Sequence, residues 1–329
     1  MRSTKLPSWI ESLLGFASVP APPHVFALDG GRLRYGQFAR DRHGFRLRVF
    51  REAALPRDPF LHGLLGGPLR DPAGFKDLVG GLVKNVPGGV RDASLVLPDS
   101  WLRVTFTESG DLPDTAEALD EVLRWKLKRL VPFRVDELRI GATEVSPLPG
   151  QAEPRRLLLG FAIEQLLAQV EEAFAAAGVR LGQVTNASLS LLSAVTPGPP
   201  GSFAALVLVE DEGYTLIFAR GGEPVLHRYK GFTGSLPEGS RTSFVARDLK
   251  LTRNFIDEHF PGSGFGPVLL LAPPEQEPAW LDRLEEGFGV PAAPLDGRHL
   301  PPLRAEDAGT PVWRDLAPML GAARQEIAA

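Results

Sequence analysis

The feature that most restricts what this chain can fold into is a repeat. Three strand-like segments, HVFALD (24–29), RLRYGQFA (32–39) and GFRLRVF (44–50), follow one another through tight turns at Asp29-Gly30-Gly31 and at 41–44. In the third, Phe45, Leu47 and Val49 alternate with Arg46, Arg48 and Phe50, the period of a strand. The pattern returns in the second half as FAALVLVED (203–211), GYTLIFAR (213–220) and EPVLHRYKG (223–231), with turns at Glu212-Gly213 and Gly221-Gly222. Even the middle strands end alike, QFAR at 37–40 and IFAR at 217–220. Each meander leads into alternating helices and strands. Two such copies predict an α/β protein made of two related domains.

The best specified stretch between the copies is 94–133. It begins with a strand (94–97), turns at Pro98-Asp99, and continues as a second strand at 101–106. Asp114 and Glu117 read as a capping-box pair opening a helix, with Leu119, Val122, Leu123, Leu127 and Leu130 on its inner stripe and Pro132 ending it. Its first half is acidic and its second basic (Arg124, Lys126, Lys128, Arg129), which suits the macrodipole.

Around this stretch, 51–93 is rich in Pro and Gly, with a short helix at 75–83. A strand is expected at 137–145, a loop at 147–154, and then the buried strand LLLGFAI. A helix stopped by Gly178 follows, then a strand at 179–184 and a small helix at 189–195. PGPPG (197–201) is the clearest domain boundary. The second half adds helices at 243–260, 277–288 and 315–327 around the strand PVLLLAP. At the other end, SWIESLLGF reads as a short amphipathic helix, joined to the body by a stiff connector at Pro20, Pro22 and Pro23.

Composition removes several functions. There are 329 residues, enough for about two domains. The chain has no cysteine, which excludes disulfides, thiol catalysis and Cys-ligated metal. A net charge of −4 gives no overall pull toward nucleic acid. No apolar run approaches the ~20 residues that span a bilayer, and no secretory h-region is visible, so a cytoplasmic location is expected. The six histidines show no ligand spacing, and no metal site is expected. Ser188, Ser190 and Ser193 lack a nucleophile elbow and a neighbouring base in sequence.

The duplication points to the actin-like, RNase H-like architecture, in which glycine-bearing turns of the two meanders face each other. On LPDSWLRVTF and the run from Trp125 to Phe133, and on the order of elements over most of 24–327, the chain resembles the PilM-like proteins of type IV pilus assembly. It is also similar to the cytoplasmic part of the type II secretion protein GspL.

The resemblance implies an FtsA-like organisation. A first actin-like domain would span 24–201 and carry an inserted α+β subdomain at about 107–156, with residues 1–23 ahead of it. A second would span 202–329, its own insertion reduced to the loop at 231–241, and its last helix would return to the first. The implied role is a cytoplasmic scaffold, peripheral to the inner membrane. Its partner would be the cytoplasmic N-terminal tail of a PilN-like membrane protein, with the pilus motor as a further partner. Carried over from the 94–133 stretch, the candidate partner-binding residues are Trp101, Arg103, Phe106, Trp125, Lys128, Arg129 and Phe133.

The resemblance also implies an ATP/Mg site at Asp29, Gly30 and Gly31 and at Asp211 and Gly213, but these loops depart from the family pattern. The first supplies no Ser or Thr. The second gathers Glu210, Asp211 and Glu212 where phosphates would sit, and three adjacent anions repel a polyphosphate unless Mg²⁺ bridges them. Ala272-Pro273-Pro274-Glu275 replaces the glycines expected beside the base. A vestigial nucleotide site with no bound cofactor, in a non-catalytic protein, is therefore expected. The alternatives are an ATPase or phosphotransferase of the same fold and a GspL-like scaffold.

Overall fold

The computed structural model describes residues 19–29, 31–55, 69–108, 112–113, 115–131, 134–145, 156–195, 203–220, 223–232, 238–260, 265–305 and 313–327. After a two-residue strand β1 (Val19–Pro20) comes the first meander, β2 (His24–Asp29), β3 (Arg32–Asp41) and β4 (Gly44–Ala54). Asp29 lies opposite Arg32, which leaves a two-residue turn. Gly31 there takes φ 76°, a left-handed conformation that glycine adopts without steric cost. Helix α1 (Pro72–Val83) starts where Asp71 accepts from the Gly74 N–H with proline in the first turn. Strand β5 (Asp92–Leu97) then lies parallel to β2.

The chain next builds a separate three-stranded antiparallel sheet from β6 (Arg103–Glu108), β7 (Leu138–Val145) and β8 (Arg156–Ile163), in the order β6-β8-β7. Helix α2 (Ala116–Lys128) covers one face of it. Leu123 and Leu127 on α2 are buried against Leu138, Leu157, Leu159 and Phe161, each contributing about 1.5–3 kcal/mol of apolar burial. Helix α3 (Glu164–Ala176), strand β9 (Arg180–Asn186) beside β5, and helix α4 (Ala187–Ala194) complete the first half.

The second half repeats the plan with β10 (Phe203–Glu210), β11 (Gly213–Arg220), β12 (Glu223–Gly231), α5 (Glu238–His259), β13 (Phe265–Leu271), α6 (Glu277–Phe288) and β14 (Ala292–Pro294). Its order, β12-β11-β10-β13-β14, matches β4-β3-β2-β5-β9 strand for strand. The chain then goes back. Strand β15 (Leu303–Ala305) pairs parallel to β4, α7 (Trp313–Arg324) packs on α4 and β2, and β16 (Glu326–Ile327) pairs with β1.

One apolar core joins the halves. Val25, Ala27 and Val96 of the first sheet and Leu206, Leu208 and Leu269 of the second meet across Leu191 of α4 and Leu316 and Leu320 of α7. Phe26 and Leu28 point the other way, into a core under α1 and α3. Strand β2 is thus buried on both faces, which is why it reads as an almost continuous apolar run.

Several boundaries differ from the sequence reading. Strand β6 begins at Arg103, because the Pro98 carbonyl accepts from the N–H groups of Trp101 (2.9 Å) and Leu102 (3.2 Å) and closes a turn first. Thr115 is the N-cap of α2, its hydroxyl accepting from Ala118 N–H. The helix stops at Lys128, and Leu130 is 50% exposed rather than inward. Helix α7 stops at Arg324, and Pro20, expected in a connector, is a strand residue at a sheet edge, where a missing N–H is tolerated. The expected N-terminal helix, Gly30, Asp114, Phe133, the 147–154 loop and the boundary at 197–201 lie outside the described residues.

Candidate functional site

The turn-bearing ends of β2 and β10 face each other across the cleft between the halves, but a polar cluster fills the space. Asp29 is held by Arg34 at 2.5 Å, and Arg34, itself buried, also pairs with Asp315 at the start of α7 at 3.1 Å. What remains between them and Glu210 is a cavity of about 30 Å³, against roughly 300–1,000 Å³ for a typical small-molecule pocket. Of the three carboxylates expected to crowd together, the hairpin separates Asp211 from Glu210, while Glu212 still acts on Glu210. Asp211 is exposed at the turn, whereas Glu210 turns inward and lines the cavity. Burial, then the neighbouring Asp99 and Asp29 carboxylates, push the Glu210 carboxyl well above the usual carboxylate range. Gly213 serves the sheet: a Cβ there would meet the Lys230 carbonyl oxygen at 2.4 Å.

Asp99 lies below the cavity, fully buried, in the turn between β5 and β6. Its N–H donates to the Glu210 carboxyl at 3.1 and 3.3 Å. Its own carboxylate accepts from the Ser188 N–H at 3.0 Å, in the first turn of α4, and from the Thr215 hydroxyl at 2.6 Å. Asn186 caps α4 and also donates to the Leu102 carbonyl. First-half Asp99 is therefore tied to second-half Glu210 and Thr215.

Ser188 also shares a 2.8 Å hydrogen bond with His227 Nε2, so a base does lie beside a serine that the sequence left without one. The arrangement is not a catalytic triad. Asp99 approaches the same Nε2 at 3.7 Å, whereas an orienting carboxylate belongs on the other ring nitrogen. That Nδ1 is buried and makes no hydrogen bond to a carboxylate, and Ser188 and His227 are both closed to solvent. Burial, only partly offset by Asp99, lowers the His227 pKa and keeps the ring neutral.

A different opening lies between the inserted sheet and the rest of the first half. The sheet face turned away from α2 looks across to Leu167 of α3, Val184 of β9 and Leu189 of α4, enclosing about 370 Å³ of mostly apolar groove. Leu102, Val104 and Leu158 wall it from the sheet side, with Gly141, Gly160 and Ala162 among them. Arg139 and Glu171 supply its charges. Arg139 donates to both oxygens of Glu164 (2.8 and 2.6 Å) and to Glu171 (2.6 Å).

The residues proposed for partner binding are dispersed around this groove rather than along it. Trp101 is buried in the core under α1 and α3. Arg103 stacks over Tyr229 of β12 at 3.6 Å, and Phe106 lies under the Arg156 guanidinium at 4.2 Å, so both serve the seam with the second half. The Arg156 side chain also donates to the Val225 carbonyl at 2.7 Å. Trp125 is 59% exposed on α2, the far side of the sheet, with Arg129 over its ring and Lys128 exposed beside it. The groove residues escaped the sequence reading because they come from six elements. The one local signal was a glycine inside each of two strand patterns, at 141 and 160.

No protein-family model matches the sequence, and no curated protein is similar to it at a significant level. Solved structures are similar to it. A PilM-PilN type IV pilus biogenesis complex superposes with a TM-score of 0.69 at 15% identity, covering 93% of this chain and 97% of that one. A Bacteroides thetaiotaomicron protein with an actin-like ATPase fold and unknown function gives 0.50 at 9% identity, with 90% and 95% covered. The cytoplasmic domain of EpsL, an inner membrane component of the type II secretion system of Vibrio cholerae, gives 0.49 at 11% identity, with 93% and 96% covered. The chain has the actin-like fold expected from its duplication.

Proposed function

We propose that this chain is a non-catalytic scaffold of the PilM kind, serving the inner-membrane assembly platform of a type IV pilus. In this reading it grips the cytoplasmic N-terminal tail of a PilN-like membrane protein in the groove between the inserted sheet and α3. The observation that carries the reading is that apolar groove of about 370 Å³, in a chain that follows a PilM-PilN complex structure over 93% of its length. Membrane association would come through the partner; among the described residues no helix is long and apolar enough to cross a bilayer. The pilus motor would use a separate surface.

A silent nucleotide cleft belongs to the same proposal. Its support is that Arg34 already engages Asp29, and that the space left beside Glu210 is about 30 Å³. The competing reading, an ATPase or phosphotransferase, requires room for phosphates and a metal at that place. Calorimetry separates the two. The PilN-like tail, as a synthetic peptide, is expected to bind the wild-type chain and to lose binding when Leu158→Asp places a charge in the groove wall. Mg·ATP is expected to give no heat. Micromolar ATP binding that disappears in Asp29→Ala would overturn the scaffold reading.

A further inference from the structure

Gly141 and Gly160 face each other across β7 and β8, directly in register. Nothing about the backbone calls for glycine at either position. The pairing runs unbroken from Leu138 to Val145 with no bulge, and neither residue has a positive φ. A Cβ on Gly141 would meet nothing within 4 Å, and one on Gly160 would meet only Leu102 Cδ1 at 3.9 Å, an ordinary contact. Glycine within a strand gives up roughly 0.5–1 kcal/mol relative to alanine, and two opposed glycines give it up twice. A strand glycine without a bulge commonly marks a place where another group comes close. These two lie on the groove side of the sheet, with Ala162 two residues beyond Gly160 on the same face.

We infer that the Gly141–Gly160 pair is a notch in the groove floor that receives one large apolar side chain of a bound protein segment, next to a basic residue of that segment. The charge follows from the rim. Arg139 is shared by two carboxylates, Glu171 on the groove wall and Glu164 beside it, so this cluster has one carboxylate more than it has guanidiniums. The apolar part follows from the walls, Leu102, Val104 and Leu158. The inference rests on the scaffold reading for the location of the partner, and adds what the partner must present there.

Two variants fill the notch with little strain, Gly141→Val and the smaller Gly160→Ala. Neither should lower the melting temperature, since both replace a strand glycine where space exists. Calorimetry with the synthetic PilN-like tail peptide should show Gly141→Val binding about 10- to 100-fold more weakly than wild type, as one excluded apolar side chain predicts. Glu171→Gln should weaken binding and flatten its salt dependence. If wild type and Gly141→Val bind the tail equally well, the notch is overturned and the scaffold reading stands.

If the tail does not bind wild type at all, the scaffold reading fails, and a random-peptide display library decides the notch by itself. Selection on wild type, with counter-selection on Gly141→Val, should return sequences pairing Leu, Ile, Phe or Met with Lys or Arg. Recovery of no sequence, or of sequences without that pair, overturns the notch.

Discussion

The cleft between the halves and the groove within the first half have opposite chemistry. In the cleft, acids are answered from within the chain: Arg34 lies between Asp29 and Asp315, the Asp99 carboxylate between Ser188 N–H and the Thr215 hydroxyl, and Glu210 against the Asp99 N–H. The groove has apolar walls, a floor without side chains at two positions and a rim where Arg139 is shared by Glu171 and Glu164. Acids that are already hydrogen-bonded have little to offer a ligand, because binding would exchange good hydrogen bonds for others. An open apolar recess gains by being covered. The cleft is largely filled by its own side chains, and the open recess lies where the inserted sheet meets the body.

The comparison breaks most visibly if the cleft is loosened. Asp99→Ala removes the acceptor for Ser188 N–H and the Thr215 hydroxyl inside the seam, and should lower the free energy of unfolding in urea by about 3 kcal/mol. A loss below about 1 kcal/mol would mean that the shared apolar core and the other seam contacts, not Asp99, hold the halves together.

The next effect is read against pH. Glu210 has a raised folded-state pKa, so the folded chain holds this proton more tightly than the unfolded chain. Stability from this group is fully present below the unfolded value of 4.5 and is lost as pH rises above it. His227, lowered by burial, works in the other direction, its contribution lost as pH falls below 6.5. Glu210→Gln removes the first slope and leaves the second. The variant should gain stability relative to wild type as pH rises, and parallel urea midpoints across pH would contradict a raised Glu210 pKa.

The smallest expected effect sharpens the location of the groove. Ala substitutions at Trp125, Lys128 and Arg129, on the outer side of α2, should change stability by no more than about 0.5 kcal/mol each. They should also leave affinity for the PilN-like tail as it was. A large loss of affinity would move the docking surface to the opposite face of the inserted sheet.

The repeat made most of the fold legible, because strand alternation and turn chemistry are local. The meander strands 24–29, 213–220 and 223–231 coincide with β2, β11 and β12, and the expected helix at 277–288 is α6. Helix ends were less legible, since Asp114 and Thr115 both suit an N-cap and only Thr115 is seen accepting from Ala118 N–H. The sites were least legible. Asp99, Ser188, Thr215 and His227 are brought together by sheet order, not by spacing, and the groove needs six elements to exist. Trp101 and Trp125 show the limit in one residue type: size suggests an anchor, yet one is 7% exposed and the other 59%, and nothing local tells them apart.

The late return of β15 and α7 to the first half bears on how the chain comes off the ribosome. The segment 24–54 emerges early, but α7, which covers Val25 and Ala27, lies some 260 residues downstream, at 313–324. Domain-by-domain folding from the amino end, the usual order during synthesis, cannot finish here. The early-made sheet waits with one greasy face bare until the last segments arrive. A nascent chain stalled before residue 303 would therefore be a client for chaperones, however sound its first two hundred residues.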